Sequence, residues 1–239
     1  MGYRLKMGME LEFFLLREQD GKIVLADPLD TLEQPCYDMK GLTRSFDFIS
    51  SLSKNLNALG WGNYANDHED ANGQFELNFE YDDALRTADK AIFFRYMVHA
   101  MAQERGLLTT FMPKPFSNLT GNGGHLHISL WDPQGETNLM ASDDDPNGLG
   151  LSPLAYAFLG GIIKRMDSLI AIRQRPVTGD LASLISVVIE CKAPSASVTK
   201  SSSSCVWSIH CFMVPPPSSE KSKEKLLGSE HGTFPARFA

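Results

Sequence analysis

Three segments of the chain carry apolar residues at helical spacing. Residues 43–59 place an apolar side chain at every third or fourth position and end before a glycine, which is typical of a helix C-terminus. Residues 84–105 follow two aspartates and also end before a glycine. Residues 152–172 begin with a Ser-Pro pair, the usual N-cap and first position of a helix. The sequence therefore predicts three helices. In the second helix, the residues expected to face the core are Leu85, Ala88, Ile92, Tyr96 and Met101.

Alternation of apolar and polar residues predicts strands in other parts of the chain. These strands are residues 7–16, 22–26, 73–81, 107–112 and 125–131. A further apolar stretch, residues 181–189, is too short for its period to separate a strand from a helix. Strands interleaved with helices favour an α+β fold, in which helices cover one side of a sheet.

The polar sides of three predicted strands lack basic residues. Side chains two positions apart share one face of a strand, so the members of each face follow directly from the sequence. The faces carry Glu10 and Glu12 in the first strand, Gln74, Glu76, Asn78 and Glu80 in the third, and His125, His127 and Ser129 in the last. Between Lys54 and Arg86 there are seven acidic residues and no basic one. One interpretation is that each strand is amphipathic with a solvated polar face. Since neighbouring carboxylates repel, we favour faces that protons or cations neutralise.

The residue types on these faces favour a divalent cation. Glu69, just before the third predicted strand, extends the acidic group. Carboxylates with one imidazole suit Mg²⁺ or Mn²⁺ better than Zn²⁺, and such ions accompany nucleotides in phosphoryl transfer. The chain contains no G-x-x-x-x-G-K-[ST] loop, which excludes a P-loop fold. The glycine-rich residues 120–125 are consistent either with a hairpin loop or with close approach of a small substrate.

Composition limits the classes of partner and divides the chain in two. The 239 residues carry a net charge of -7, which argues against nucleic acid as a partner, and the sequence has no apolar run long enough to span a membrane. Four cysteines without C-x-x-C spacing are typical of a reducing, cytoplasmic location. Residues 1–172 are acidic, whereas residues 173–239 are basic and rich in Ser and Pro. We expect a domain over 1–172 and a largely disordered tail of unrelated character over 173–239.

Three motifs follow one another along the first part of the chain. Residues 8–15 read GMELEFFL, residues 66–79 read NDHEDANGQFELNF, and residues 111–116 and 121–131 read FMPKPF and GNGGHLHISLW. Together these motifs resemble the catalytic domain of the glutamine synthetase family, in particular its type III-like branch. The resemblance covers about residues 7–170 and implies a curved, antiparallel-rich sheet with helices packed on one side.

The resemblance also implies roles for individual residues. Glu12, Glu69 and Glu76 would hold one metal ion, and Glu10 with His125 would hold part of a second. His127 and Ser129 would lie beside ATP, and Gly121 would contact the substrate glutamate. The implied cofactors are Mg²⁺ or Mn²⁺, with ATP as a co-substrate. The motifs assign no catalytic acid or base.

The implied activity is an ATP-dependent glutamate–ammonia ligase that forms glutamine through a γ-glutamyl phosphate. Family members carry a small domain before the first motif and an arginine-rich segment after the third helix, and the chain shows neither pattern. We therefore expect impaired turnover. The resemblance implies a ring-like homo-oligomer, and the missing pattern of the small domain argues against that assembly for this chain. Two alternatives stay open: a γ-glutamyl ligase that uses another amine, and a non-catalytic metal-binding remnant or assembly partner.

Overall fold

One sheet with helices on one side forms the part of the chain that the computed structural model describes, which comprises residues 2–165, residues 168–169 and the backbone of residues 185–191 and 205–211. The strands are β1 (Arg4–Gln19), β2 (Lys22–Leu25), β3 (Asn63–His68), β4 (Gln74–Phe79), β5 (Asp82–Asp83), β6 (Leu108–Thr110), β7 (Gly124–Trp131), β8 (Ile185–Cys191) and β9 (Cys205–Cys211). The helices are α1 (Met39–Arg44), α2 (Phe46–Ala58), α3 (Ala84–Gln103) and α4 (Pro153–Lys164). The predicted α+β class is confirmed.

Strand β1 is the centre of the curved sheet. The strand order is β3-β4-β1-β7-β8-β9, and β2, β5 and β6 also pair with β1. Every pairing is antiparallel among the described strands except that of β7 with β8, which is parallel. Because β1 has β4 on one side and β7 on the other, its polar residues face neighbours from both of the later motifs.

The main core lies between the sheet and helices α2 and α3. Phe13 of β1 is fully buried and its ring contacts the rings of Phe48, Phe75 and Phe94. A second cluster, of Met140, Leu151 and Ala155, holds α4 against the sheet residue Leu130. The apolar side of β1 and β4 therefore lies under helices, which leaves the other side for polar residues.

Helix α3 buries a different stripe from the one expected. Its buried residues are Thr87, Ala91, Phe94, Met97, Val98, Met101 and Ala102. Leu85, Ala88, Ile92 and Tyr96 are exposed, so the expected core-facing set was wrong except for Met101. Apolar residues occur all round this helix, and the spacing alone did not show which stripe meets the sheet.

Some elements differ from those expected. The segment 43–59 is divided at Ser45 into the end of α1 and helix α2, and α1 begins where the carboxylate of Asp38 accepts hydrogen bonds from two backbone N–H groups. Strand β3 was not expected. Helix α4 begins at the expected Ser-Pro pair and ends at Lys164, while residues 166–167 and 170–172 of that prediction lie outside the described residues.

The expected tail falls mostly outside the described residues. Residues 173–184, 192–204 and 212–239 belong to that part, whereas β8 and β9 lie within the tail and pair with each other. Within residues 181–189, the described portion is strand rather than helix. Among the described residues, no helix combines the length and the apolar character that a membrane span requires.

Candidate functional site

The polar faces of β1, β4 and β7 meet on one side of the sheet. In the antiparallel register, Glu12 of β1 lies opposite Glu76 of β4, and Glu10 of β1 lies opposite His125 of β7. Residues that are direct partners in a ladder point to the same face. The structure therefore brings together residues from all three motifs, as the alternation of side chains predicted.

Glu10, Glu76 and His125 are close enough to bind one ion. One ligand atom from each residue lies within 4.8 Å of the others. Nδ1 of His125 is 3.1 Å from Oε2 of Glu10 and 3.8 Å from Oε2 of Glu76. Oε2 of Glu76 is buried and accepts no hydrogen bond. A buried carboxylate oxygen without a donor, beside a second carboxylate and an imidazole, fits a hard divalent cation such as Mg²⁺ or Mn²⁺.

Amide groups hold the carboxylates of this site in place. Nδ2 of Asn78 donates to Oε1 of Glu76 over 3.0 Å. Nε2 of Gln74 and the backbone N–H of Gly123 donate to Oε2 of Glu12 over 3.0 and 2.8 Å. In each glutamate these donors bind one carboxylate oxygen and thereby fix the direction of the other.

Gly123 allows the loop before β7 to approach Glu12. A Cβ at this position would lie 2.5 Å from Oε1 of Glu12 and 3.4 Å from Nε2 of His125. The first distance is far below van der Waals contact, so a larger residue would displace the carboxylate. Glycine at residue 123 is thus a steric requirement of the site.

Glu69 lies beside the cluster at the start of the turn between β3 and β4. Its backbone N–H donates to the carbonyl of Gln74 over 2.9 Å. Burial, followed by the negative charge of Glu12, raises the pKa of Glu69 to about 7. Its carboxylate is therefore electrostatically coupled to the site, although Glu69 is not a member of the close triad.

The pKa values of the cluster show how it compensates its negative charge. Burial, followed by the charges of Glu10 and Glu69, raises the pKa of Glu76 to about 8. Burial also raises the pKa of Glu12. Burial alone would raise the pKa of Glu10 as well, but hydrogen bonds from His125 and His127 lower it to about 2. The hydrogen bond with Glu10 raises the pKa of His125. Without a metal ion, the site reduces its negative charge by holding protons.

The two predicted ATP-site residues continue along the same face of β7. Nε2 of His127 lies 2.9 Å from Oε1 of Glu10. Oγ of Ser129 accepts a hydrogen bond from Nε1 of Trp131 over 2.8 Å. Lys6 packs over the Trp131 ring, with Nζ 3.7 Å from its centroid. His127 and Ser129 thus extend from the acidic cluster toward an aromatic and cationic region.

Hydrogen bonds from two amide side chains fix the loop that contains Gly121. The carbonyl of Gly121 accepts a hydrogen bond from Nε2 of Gln74 over 3.0 Å, and a Cβ at Gly121 would lie 2.3 Å from the carbonyl oxygen of Pro113. Asn122, which is buried, donates through Nδ2 to the carbonyls of Thr110 and Met112. The glycine-rich loop is therefore tied to the FMPKPF segment, as a rigid rim of the site.

Three contributors to this geometry were not among the predicted site residues. Gln74 and Asn78 were placed on the polar face of β4 by alternation, but the sequence indicated no role for them. Gly123 gave no separate signal, because its importance arises from one steric contact with a residue 111 positions earlier. The predicted division of the ligands between two ions stays a prediction.

Comparison with known proteins relates this chain to a characterised family. Residues 1–178 match the family described as "Glutamine synthetase, catalytic domain". A glutamine synthetase from Rhizobium meliloti (strain 1021) is 53% identical over 171 residues, which is 72% of this chain and 38% of that protein. A glutamate–methylamine ligase from Methyloversatilis universalis is 48% identical and covers the same two shares.

Solved structures agree with these sequence matches. A ligand-free structure of GmaS superposes with a TM-score of 0.67 at 52% identity, and covers 72% of this chain and 39% of that one. A GmaS/ADP complex superposes with a TM-score of 0.67 at 49% identity, and covers 74% of this chain and 41% of that one. The chain thus spans about two fifths of the length of these relatives.

Proposed function

The chain belongs to the glutamine synthetase family, and on that premise we propose that its described residues form the cation- and phosphate-binding part of an ATP-dependent glutamate–ammonia ligase. The observation that carries this proposal is the triad of Glu10, Glu76 and His125, whose ligand atoms lie within 4.8 Å of one another. The buried Oε2 of Glu76, which accepts no hydrogen bond, gives the triad an oxygen that a cation would satisfy.

In this proposal, Glu10 and His125 hold part of one Mg²⁺ or Mn²⁺ ion, and Glu12, Glu69 and Glu76 hold the other. Glu76 lies close enough to Glu10 and His125 to serve either ion. When bound, the divalent cation neutralises charge between the triphosphate of ATP and the carboxylate of glutamate. The protein's own contribution is to orient the ligands. Gln74 and Gly123 fix Glu12, and Asn78 fixes Glu76, so that one oxygen of each carboxylate stays directed into the site.

ATP is proposed to lie along β7, beside His127 and Ser129. Both residues share the face that carries His125, and β7 leads from the acidic cluster to Trp131. The GmaS/ADP complex among the solved structures supports nucleotide binding by this fold. Glu10 holds His127 from one side and thereby links the nucleotide site to the cation site.

The proposed reaction has two steps. An oxygen of the glutamate γ-carboxylate attacks the terminal phosphorus of ATP, the bond to the bridging oxygen breaks, and ADP leaves. The nitrogen of ammonia then attacks the acyl carbon, phosphate leaves with the electrons of the broken C–O bond, and the nitrogen loses a proton. Gly121, on the fixed rim, is proposed to contact the glutamate.

A second candidate is a γ-glutamyl ligase that uses an amine other than ammonia. The 48% identity with a glutamate–methylamine ligase supports it. Both candidates use the same cation and nucleotide residues, because they differ only in the nucleophile of the second step. A cytoplasmic location and a homo-oligomeric assembly belong to the same proposal, and sedimentation velocity of the purified chain tests the assembly.

The test begins with calorimetric titration of Mn²⁺ into the purified chain. We expect binding by the original chain, loss of binding in Glu76→Gln, and unchanged binding in the control Glu80→Gln, which alters an exposed carboxylate four residues along the same segment. ADP is then titrated in the presence of Mn²⁺ into the original chain and into His127→Ala, and we expect the variant to bind more weakly.

Turnover is measured last, with ATP, glutamate, and either ammonium or methylammonium. Mass spectrometry of the γ-glutamyl product distinguishes the two ligase candidates. Absence of Mn²⁺ binding by the original chain would contradict the proposed cation site. Binding of Mn²⁺ and ADP without either product would instead support the non-catalytic remnant that the sequence left open.

A further inference from the structure

A buried polar pair lies outside the site described above. The side chains of Asp30 and His68 are 1% and 0% exposed, and Nε2 of His68 is 2.7 Å from Oδ2 of Asp30. Asp30 belongs to the connection between β2 and α1, and His68 ends β3. A carboxylate and an imidazole removed from water in this way require a structural reason, because burying them is costly.

Both members of the pair hold the turn between β3 and β4. Nδ1 of His68 contacts the carbonyl oxygen of Glu69 at 2.9 Å. At the other end of the turn, the backbone N–H of Gly73 donates to Oδ2 of Asp30 over 2.6 Å, and Nδ2 of Asn72 donates to Oδ1 over 3.2 Å. The Asp30–His68 pair therefore fixes the first and the last residues of the turn 69–73.

This turn carries two groups of the candidate cation site. Glu69 is its first residue, and its carboxylate is coupled to that of Glu12. Gln74 follows its last residue and donates to Glu12 through Nε2. The same amide side chain accepts the backbone N–H of Ala71 on Oε1 over 3.0 Å, so a movement of the turn would move the donor that orients Glu12.

The pair is enclosed on its other sides. A Cβ at Gly41 of α1 would lie 2.5 Å from Cδ2 of His68, so the helix backbone presses directly against the imidazole. The ring also packs edge-on against Phe75, with 5.1 Å between centroids. Arg44 approaches Asp30 to 3.9 Å. Because its surroundings are closely packed, the pair is held in one arrangement. The hydrogen bonds of the pair then restrict the conformation of the turn.

We propose that Asp30 and His68 are positioning residues, which clamp the turn 69–73 so that Glu69 and the Gln74–Glu12 contact present their oxygens to the cation. The inference rests on the proposed cation site and extends it to residues that touch neither the cation nor a ligand of the close triad. Removing a group that hydrogen-bonds to a metal ligand and orients it typically weakens metal binding by about 10–100-fold.

The experiment compares Mn²⁺ affinity in Asp30→Asn, His68→Gln and the control Asp27→Asn. Asp27 lies three residues from Asp30 and shares Arg44 as a partner, but its described contacts do not reach the turn. We expect Asp30→Asn and His68→Gln to weaken Mn²⁺ binding by about tenfold or more, and Asp27→Asn to leave it within about twofold of the original chain. Asn72→Ala, which removes only one contact with Asp30, provides a milder variant should the others fold poorly, and its expected loss is smaller.

Hydrogen exchange in the metal-free chain separates positioning from general destabilisation. Asp30→Asn should accelerate exchange at the amides of residues 69–74, and at Gly73 most of all, while the amides of α3 keep their protection. Equal Mn²⁺ affinity in Asp30→Asn and the original chain would overturn the inference, and so would an equal loss in Asp27→Asn. If the original chain bound no Mn²⁺, the proposed cation site would fail, and the exchange result alone would decide whether the pair clamps the turn.

Discussion

Glu12 on β1 and Glu76 on β4 are direct partners across the antiparallel ladder. Two carboxylates in this relationship repel when both are ionised, and such pairs destabilise a sheet. Both side chains are also buried, at 8% and 6% exposure, so water screens their repulsion poorly. The centre of the sheet therefore contains a pair of carboxylates whose proximity is favourable only when protons or cations compensate their charge.

Removing one charge should stabilise the metal-free sheet. In Glu76→Gln at pH 8.5, we expect the free energy of unfolding to rise by up to about 1 kcal/mol, because the repulsion with Glu12 and Glu10 is removed. Urea denaturation followed by circular dichroism measures this change. Glu80→Gln should change the free energy of unfolding little, and a destabilised Glu76→Gln would contradict the expectation.

The stability of the metal-free chain should fall as pH rises. Glu69 and Glu76 hold their protons up to pH values of about 7 and about 8 in the folded chain. A glutamate in the unfolded chain loses its proton at about pH 4.3. Between these limits the unfolded state binds fewer protons than the folded state, so the free energy of unfolding decreases with rising pH.

Denaturation midpoints measured without metal across the interval from about pH 5 to about pH 8.5 test this slope. The pKa of Glu10 is lowered to about 2, so Glu10 makes the free energy of unfolding rise with pH, but only in strong acid below this interval. Added Mn²⁺ should reverse the trend, because it binds the deprotonated carboxylates and its affinity rises with pH. A slope of the same size in Glu76→Gln would show that Glu76 is not its source.

Two neighbouring glycines provide a steric test of the site. Gly123→Ala would place a Cβ 2.5 Å from Oε1 of Glu12, whereas Gly124→Ala would place one 3.9 Å from Cδ2 of Leu11. We expect Gly123→Ala to weaken Mn²⁺ binding by about tenfold or more, as loss of ligand orientation typically does. Gly124→Ala should bind as the original chain does, and calorimetric titration compares the two. A similar effect of both substitutions would indicate a general requirement of the loop instead.

Helix α3 offers a test of which stripe forms the core. Phe94 is 0% exposed and contacts Phe13, Phe79 and Phe111, whereas Ile92 is 68% exposed. We expect Phe94→Ala to reduce the free energy of unfolding by about 3–5 kcal/mol, and Ile92→Ala by less than about 0.5 kcal/mol. Chemical denaturation measures both. A large loss in Ile92→Ala would mean that another part of the protein covers this exposed side of the helix.

The candidate site could be predicted from the sequence because a strand has only two faces. Once 7–16, 73–81 and 125–131 were recognised as strands, alternation alone determined which acidic and imidazole side chains share a side. Helix α3 did not allow the same inference. Its apolar residues lie on all sides of the helix, and only the contact with the sheet determines which side is buried. Strand β3 was missed because its sequence, NYANDH, lacks apolar alternation, and its backbone is ordered by pairing with β4.

The contacts that orient the site arise from the tertiary structure. Asp30 meets His68 across 38 positions and Gly73 across 43, through a connection that has no regular secondary structure. No local pattern in the sequence marks Asp30 as a partner of that turn. Gly123 depends in the same way on a contact with Glu12. The sequence thus predicted which acidic and imidazole side chains lie together, whereas the residues that orient them are apparent only from the tertiary structure.

The central position of β1 has a consequence for the order of events during synthesis. This strand precedes the other described strands along the chain and leaves the ribosome before them, yet the histidine opposite its Glu10 follows 115 residues later. Until β7 has been translated, β1 lacks one neighbour, and its two glutamates have no imidazole beside them. Contacts so distant along the chain close slowly. The proposed cation site would therefore be able to capture a metal ion only after β7 has paired with β1, as a late event of folding rather than the one that nucleates it.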